Sequence, residues 1–117
     1  MQFYNLLIIL VIWNVFLLIS LMTIHVKNFL KDIITDLPSS SGVYQFVDLN
    51  KKIIYVGKAK DLKKRVNSYF TKGQIGKTRI LVKKIVDIKI VITETEQDAL
   101  LLENSLIKKY KPNYNIL

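Results

Sequence analysis

Gly42-Val43-Tyr44-Gln45-Phe46-Val47, Asp48-Leu49-Asn50-Lys51 and Ile53-Ile54-Tyr55-Val56-Gly57 form the stretch that decides how this chain folds. Val43 to Val47 alternates side-chain types as a strand does, and the polar run after it reads as a turn. Ile53 to Val56 is β-branched and aromatic, which suits a returning strand. The hairpin brings Tyr44 and Tyr55 to the same place. Folding needs no such pair there, nor Lys58 and Arg65 close behind. Chemistry on a phosphate does.

Upstream, Val26, Phe29, Leu30, Ile33 and Ile34 at helical spacing predict a short helix to Asp36, ended by Leu37-Pro38. Downstream, Asp61 is a candidate N-cap for a helix through Phe70, with Leu62, Val66, Tyr69 and Phe70 facing inward. Residues 71–76 form a basic loop, and a helix is expected from Thr78 to Val86. Ile88 to Thr93 is the third strand. Thr95 then caps a helix from Glu96 to Lys109, which Pro112 stops. The order is α+β: a small three-stranded antiparallel sheet flanked by helices and preceded by an apolar helix.

The 117 residues carry 18 basic and 9 acidic side chains, a net charge of +9. None of them lies between Met1 and Val26, so residues 1–25 form an apolar segment and residues 26–117 a basic domain. Such a domain attracts polyanions, either nucleic acid or an anionic membrane face. There is no cysteine and His25 is the one histidine, which excludes disulfides, thiolate metal sites and paired-histidine zinc sites.

Phe3 to Ile24 runs about 22 residues, interrupted only by the uncharged Asn5, Asn14, Ser20 and Thr23. That length can cross a bilayer. Lys27 and Lys31 beyond it would then hold the domain on the cytoplasmic side. Under the alternative, Met22 is the true start and residues 1–21 are upstream sequence. The corresponding expectations are a cytoplasmic protein, or a membrane-anchored one that contacts lipid through residues 3–24.

Two charges stand where packing favours apolar groups. Arg65 shares a helix face with Tyr69, four residues on, and adjoins Leu62 and Val66. It is either a snorkelling arginine or a guanidinium aimed at a phosphate. Ala99, Leu100, Leu102, Leu106, Ile107 and Tyr110 form one apolar stripe with Glu103 in its middle. An isolated buried carboxylate is costly, so Glu103 pairs with Arg65 or a lysine, is protonated, or holds a cation.

Together these segments resemble the GIY-YIG endonuclease superfamily, and within it the incision domain of the excinuclease subunit of bacterial nucleotide excision repair. Carrying the resemblance are Leu37-Pro38, Gly42-Val43-Tyr44, Ile54 to Val66, Ser68-Tyr69-Phe70, Thr95-Glu96, Ala99 to Glu103 and Leu106 to Ile116. Ser41 stands where that family usually has proline. Asn104-Ser105 replaces its alanine-asparagine, a change expected to alter packing near Glu103.

The resemblance implies hydrolysis of a DNA phosphodiester with one divalent cation, Mg²⁺ or Mn²⁺, held by Glu103, and no organic cofactor. Tyr55 would be the general base, its pKa lowered by Lys58, while Tyr44 orients the water or Tyr55. Arg65 would neutralise phosphate charge, and Tyr69 would contact the phosphate or support Arg65. Asn115 would brace the site and Tyr114 belong to the core. Gly42 and Gly57 would permit tight backbone geometry. Lys60, Lys63, Lys64, Lys72, Lys77 and Arg79 would track DNA, with repair proteins as further partners. The alternatives are a catalytically weak DNA-binding module, a fragment of a longer excinuclease subunit, or a membrane-tethered form.

Overall fold

The computed structural model describes residues 2–116. Helix α1 (Gln2–Asp36) leads into β1 (Gly42–Val47) and β2 (Ile53–Ala59), then α2 (Leu62–Thr71) and α3 (Gly76–Lys84). Strand β3 (Asp87–Ile92), α4 (Glu96–Tyr110) and the short α5 (Asn113–Ile116) complete it. The sheet is antiparallel in the order β2-β1-β3.

The central strand β1 is buried along its whole length because helices cover both faces of the sheet. Side chains alternate between those faces. Tyr44 and Phe46 point into one core with Leu30 and Ile34 of α1, Leu62, Val66 and Tyr69 of α2, and Leu81 of α3. Val43 and Val47 point the other way, against Ile53, Val56 and Ala99, with Leu102, Leu106 and Ile107 of α4 packed on them. Each fully buried large side chain contributes about 1.5–3 kcal/mol. The larger core therefore lies under α2, where the tyrosines are.

The hairpin forms as its residues predict. Asp48 organises its turn by accepting the Asn50 and Lys52 N–H groups at 3.0 and 2.9 Å. Both capped helices also begin as read: Asp61 accepts from the Lys64 N–H and Thr95 from the Asp98 N–H, each at 3.0 Å.

Four elements differ from expectation. Helix α1 is continuous back to Gln2, so the apolar segment and the predicted lead-in are one rod. Strand β2 runs on to Ala59, because Gly57 and Lys58 still pair with Tyr44 and Val43. Helix α3 ends at Lys84 rather than Val86; the Val86 N–H instead donates to the Val47 carbonyl at 2.9 Å and joins the sheet. After α4, Lys111 turns left-handed (φ 44°), Pro112 is buried, and the chain forms α5, a helix the sequence pattern does not mark.

Candidate active site

Register does the first part of the work. Phe46 pairs with Tyr55 and Tyr44 with Gly57, so Tyr44, Phe46 and Tyr55 share the face under α2. A Cβ on Gly57 would lie 2.3 Å from the Tyr44 ring and hydroxyl, so the phenol lies directly across the glycine. A Cβ on Gly42 would meet the Val91 carbonyl oxygen at 2.3 Å. Both glycines are required by close approach.

Helix α2 supplies the second part. Arg65 and Tyr69 stand one turn apart, and the Tyr69 and Tyr44 hydroxyls are hydrogen-bonded at 2.9 Å in the interior. Arg65 donates from Nε to the Tyr44 hydroxyl and from Nη2 to the Tyr69 hydroxyl, both at 3.4 Å. Its guanidinium lies 5.2 Å from the Tyr69 ring centroid. These long bonds orient the fork without neutralising it, because both partners are neutral phenols. The charge stays available to an anion.

Tyr55 completes the aromatic group, its ring centroid 6.2 Å from that of Tyr44 and 6.4 Å from that of Tyr69. Burial pushes its pKa up to about 12, neighbouring Tyr69 adds to the rise, and Arg65 pulls against it. Glu103 also pushes it upward, which places that carboxylate within electrostatic reach of the phenol. Burial raises Tyr44 further, with Tyr69 reinforcing it. The hydrogen bond to Tyr44 raises the pKa of Arg65, which remains charged throughout.

Two expectations are corrected here. Lys58 does not lower the pKa of Tyr55: the residues are three apart in one strand, so their side chains leave opposite faces, and Lys58 is exposed. The chain's cation acting on Tyr55 is Arg65, and burial outweighs it. The Tyr44 hydroxyl, in turn, is engaged by Tyr69 and Arg65 rather than directed to Tyr55.

The outer edge of β2 supplies the third part. Val56 and Lys58, two apart, both turn their N–H groups outward from this edge strand. Asn115 of α5 accepts the Val56 N–H and donates to the Val56 carbonyl, each at 2.8 Å. Glu103 of α4 accepts the Lys58 N–H through Oε2 at 2.7 Å. Glu103 is half-buried at the border of its helix's inner face, since Leu100 and Tyr110 of the expected stripe are exposed.

A buried ion pair with Arg65 or a lysine is therefore not what holds Glu103. Its partner is a backbone amide, and among the described residues its charge has no salt-bridge counterpart. Asn104 and Ser105 both face solvent, away from the packed side of α4.

No group of three or more His, Cys, Asp or Glu residues forms a cage among the described residues. Glu103 nonetheless fits a divalent ion. Among the described residues it is anchored through Oε2 alone, with no salt bridge to its charge and no donor to Oε1. One carboxylate completed by waters and phosphate oxygens is how Mg²⁺ is usually held.

The remaining sequence candidates lie on the surface. Lys60 follows β2 and pairs with Glu96 at 3.5 Å, an exposed contact. Lys63 and Lys64 are exposed on α2, Lys72 caps its C-terminus, and Lys77 and Arg79 are exposed on α3. Tyr114 is core, with the Lys84 ammonium 5.6 Å from its ring centroid. Sequence reasoning missed the Val56 and Lys58 amides, because no side-chain pattern marks a backbone donor.

A three-stranded sheet presenting paired phenols and an arginine, with a lone carboxylate at its edge, is the frame of a GIY-YIG nuclease domain. Residues 40–116 match the model of the UvrC-like GIY-YIG domain, and the chain belongs to that family. It is 60% identical over 92 residues to UvrABC system protein C of Bacteroides thetaiotaomicron, covering 78% of this chain and 15% of that protein. The protein of the same name from Flavobacterium psychrophilum is 61% identical over 85 residues, covering 72% of this chain and 14% of that one. The chain thus spans about 15% of the length of such relatives.

Among solved structures it resembles the GIY-YIG N-terminal endonuclease domain of UvrC from Thermotoga maritima bound to its catalytic divalent cation, magnesium. The TM-score is 0.65 at 34% identity, covering 72% of this chain and 92% of that one.

Proposed function

We propose that this chain is a metal-dependent DNA endonuclease that hydrolyses one phosphodiester in nucleotide excision repair, acting on damaged or branched duplex alongside other excision-repair proteins. The observation that carries this reading is Arg65, held by the hydroxyls of Tyr44 and Tyr69 with no carboxylate paired to it among the described residues, while Arg65 and the carboxylate of Glu103 both act electrostatically on Tyr55.

Arg65 binds the scissile phosphate and stabilises charge that develops on it. Tyr44 and Tyr69 keep the guanidinium in register, which is the preorganisation that makes such a contact effective. Tyr55 positions the attacking water and takes its proton when present as phenolate. Burial keeps most of that phenol protonated near neutral pH. Glu103 would hold the divalent ion, Mg²⁺ or Mn²⁺, whose positive charge stabilises the phosphate and leaving oxygen and favours the Tyr55 phenolate. Asn115 and the Glu103–Lys58 contact fix the strand that carries Tyr55. Lys60, Lys63, Lys64, Lys72, Lys77 and Arg79 follow the DNA backbone, with little sequence preference.

The test is nicking of a branched or lesion-bearing duplex with and without Mg²⁺, across a salt series. Expected are cation-dependent single-strand breaks, binding that weakens steeply with salt, and no breaks from Tyr55→Phe. Salt-sensitive binding without nicking under any divalent ion would show a DNA-binding module instead.

A further inference from the structure

We propose that residues 4–24 of α1 span a lipid bilayer and that the lysines beyond them seat the domain on an anionic leaflet. An 18-residue window of this helix has a mean hydropathy of 2.7, and none of it is buried within the fold. Twenty-one helical residues extend about 31 Å at about 1.5 Å each, close to the hydrocarbon thickness of about 30 Å.

The surface to be covered runs all round the helix. Leu6, Leu7, Ile8, Ile9 and Leu10 are consecutive, more than one full turn, and all are exposed. A second copy of a soluble chain would cover one stripe and leave the others wet; lipid covers every side. The Thr23 hydroxyl is satisfied inside the helix, donating to the Ile19 carbonyl at 2.9 Å. Asn14 opposes insertion, and the apolar residues around it outweigh it. The apolar run exceeds the 7–15 residues of a signal-peptide core, and the same helix continues unbroken to Leu30 and Ile34 in the domain core.

The water boundary falls at Lys27, the first charged side chain. A groove of about 970 Å³ between α1 and the α2–α3 pair lies across this boundary, running from Ile19 to Thr35 of α1. Its walls include Met22, Phe70 and Val82, and Lys27, Lys31 and Lys83 also line it. Apolar walls with three ammonium groups suit the upper acyl chain and headgroup of an anionic phospholipid. Lysines just past the span place the domain on the cytoplasmic side.

The experiment uses the full chain reconstituted with phosphatidylcholine vesicles and with phosphatidylcholine–phosphatidylglycerol vesicles, and it reads flotation, not nicking. Expected are flotation with both, resistance to carbonate, and greater retention on the anionic vesicles. Lys27→Ala with Lys31→Ala and Lys83→Ala should weaken that preference more than Lys63→Ala with Lys64→Ala and Lys72→Ala, while leaving carbonate resistance intact. Leu10→Arg with Phe16→Arg should release the chain, with circular dichroism and DNA binding unchanged. Removal by carbonate, a soluble oligomer without lipid, recovery with the segment cleaved off, or continued flotation of the arginine variant would each overturn the proposal. So would equal retention on both vesicle types.

Discussion

The carboxamide of Asn115 holds Val56 by both backbone groups, accepting from its N–H and donating to its carbonyl, each at 2.8 Å. This replaces the strand that an edge residue lacks, one position from Tyr55. Asn115→Ala removes both bonds and should destabilise the domain by about 1–3 kcal/mol in urea unfolding. Asn115→Asp keeps the acceptor but sets an anionic oxygen against the carbonyl, so it should be at least as harmful. An unchanged midpoint in both variants would show that the bracket carries no weight.

Gly57→Ala drives a methyl into the Tyr44 phenol, 2.3 Å away. Overpacking of this kind costs about 1–3 kcal/mol, and nicking should fall with it because Tyr44 positions Arg65. At Gly73 a Cβ meets nothing within 4 Å, so Gly73→Ala should leave both stability and activity near those of the parent chain. Thermal melts of the pair make the comparison.

Arg65→Lys keeps the charge and loses the fork that reaches two hydroxyls at once. Because Arg65 is exposed, the fold should survive with little change in melting temperature. The nicking rate should drop by about 10²–10³-fold, the usual cost of one preorganised electrostatic contact. A rate within a few-fold of the parent would remove Arg65 from the site.

Tyr55 ionises at about 12 in the folded chain and at 10.0 unperturbed. As pH rises, the unfolded chain therefore sheds this proton first. The stability supplied by the neutral phenol is complete below about pH 10 and is lost as pH climbs through about 12. Denaturant midpoints should fall over that window, less so in Tyr55→Phe. Where phenolate is the base, the nicking rate should also climb with pH through the neutral range.

The hairpin and its register were legible because aromatic and β-branched residues alternate around an obvious turn. The caps at Asp61 and Thr95 were equally plain. Glu103 stood out as a charge among leucines, although its environment was misread: the helix is less buried than its leucines suggest, and its partner is an amide that composition does not mark. The outward position of Lys58 is hidden when the β-branched run alone, Ile53 to Val56, defines the strand. With β2 continued to Ala59, a three-residue spacing places Lys58 and Tyr55 on opposite faces. Helix α5 is too short to show a period, so Asn115 was placed at the site by resemblance and its contact with Val56 emerged only in the fold.

Glu103→Gln is the most direct measurement on the site. The amide oxygen of glutamine can still accept the Lys58 N–H, so the strand edge stays in place while the charge disappears. Calorimetric Mg²⁺ titration with DNA present, run beside a nicking assay and a thermal melt, should show an unchanged fold, lost cation binding and no breaks. Full nicking by Glu103→Gln at the parent's Mg²⁺ dependence would contradict the account.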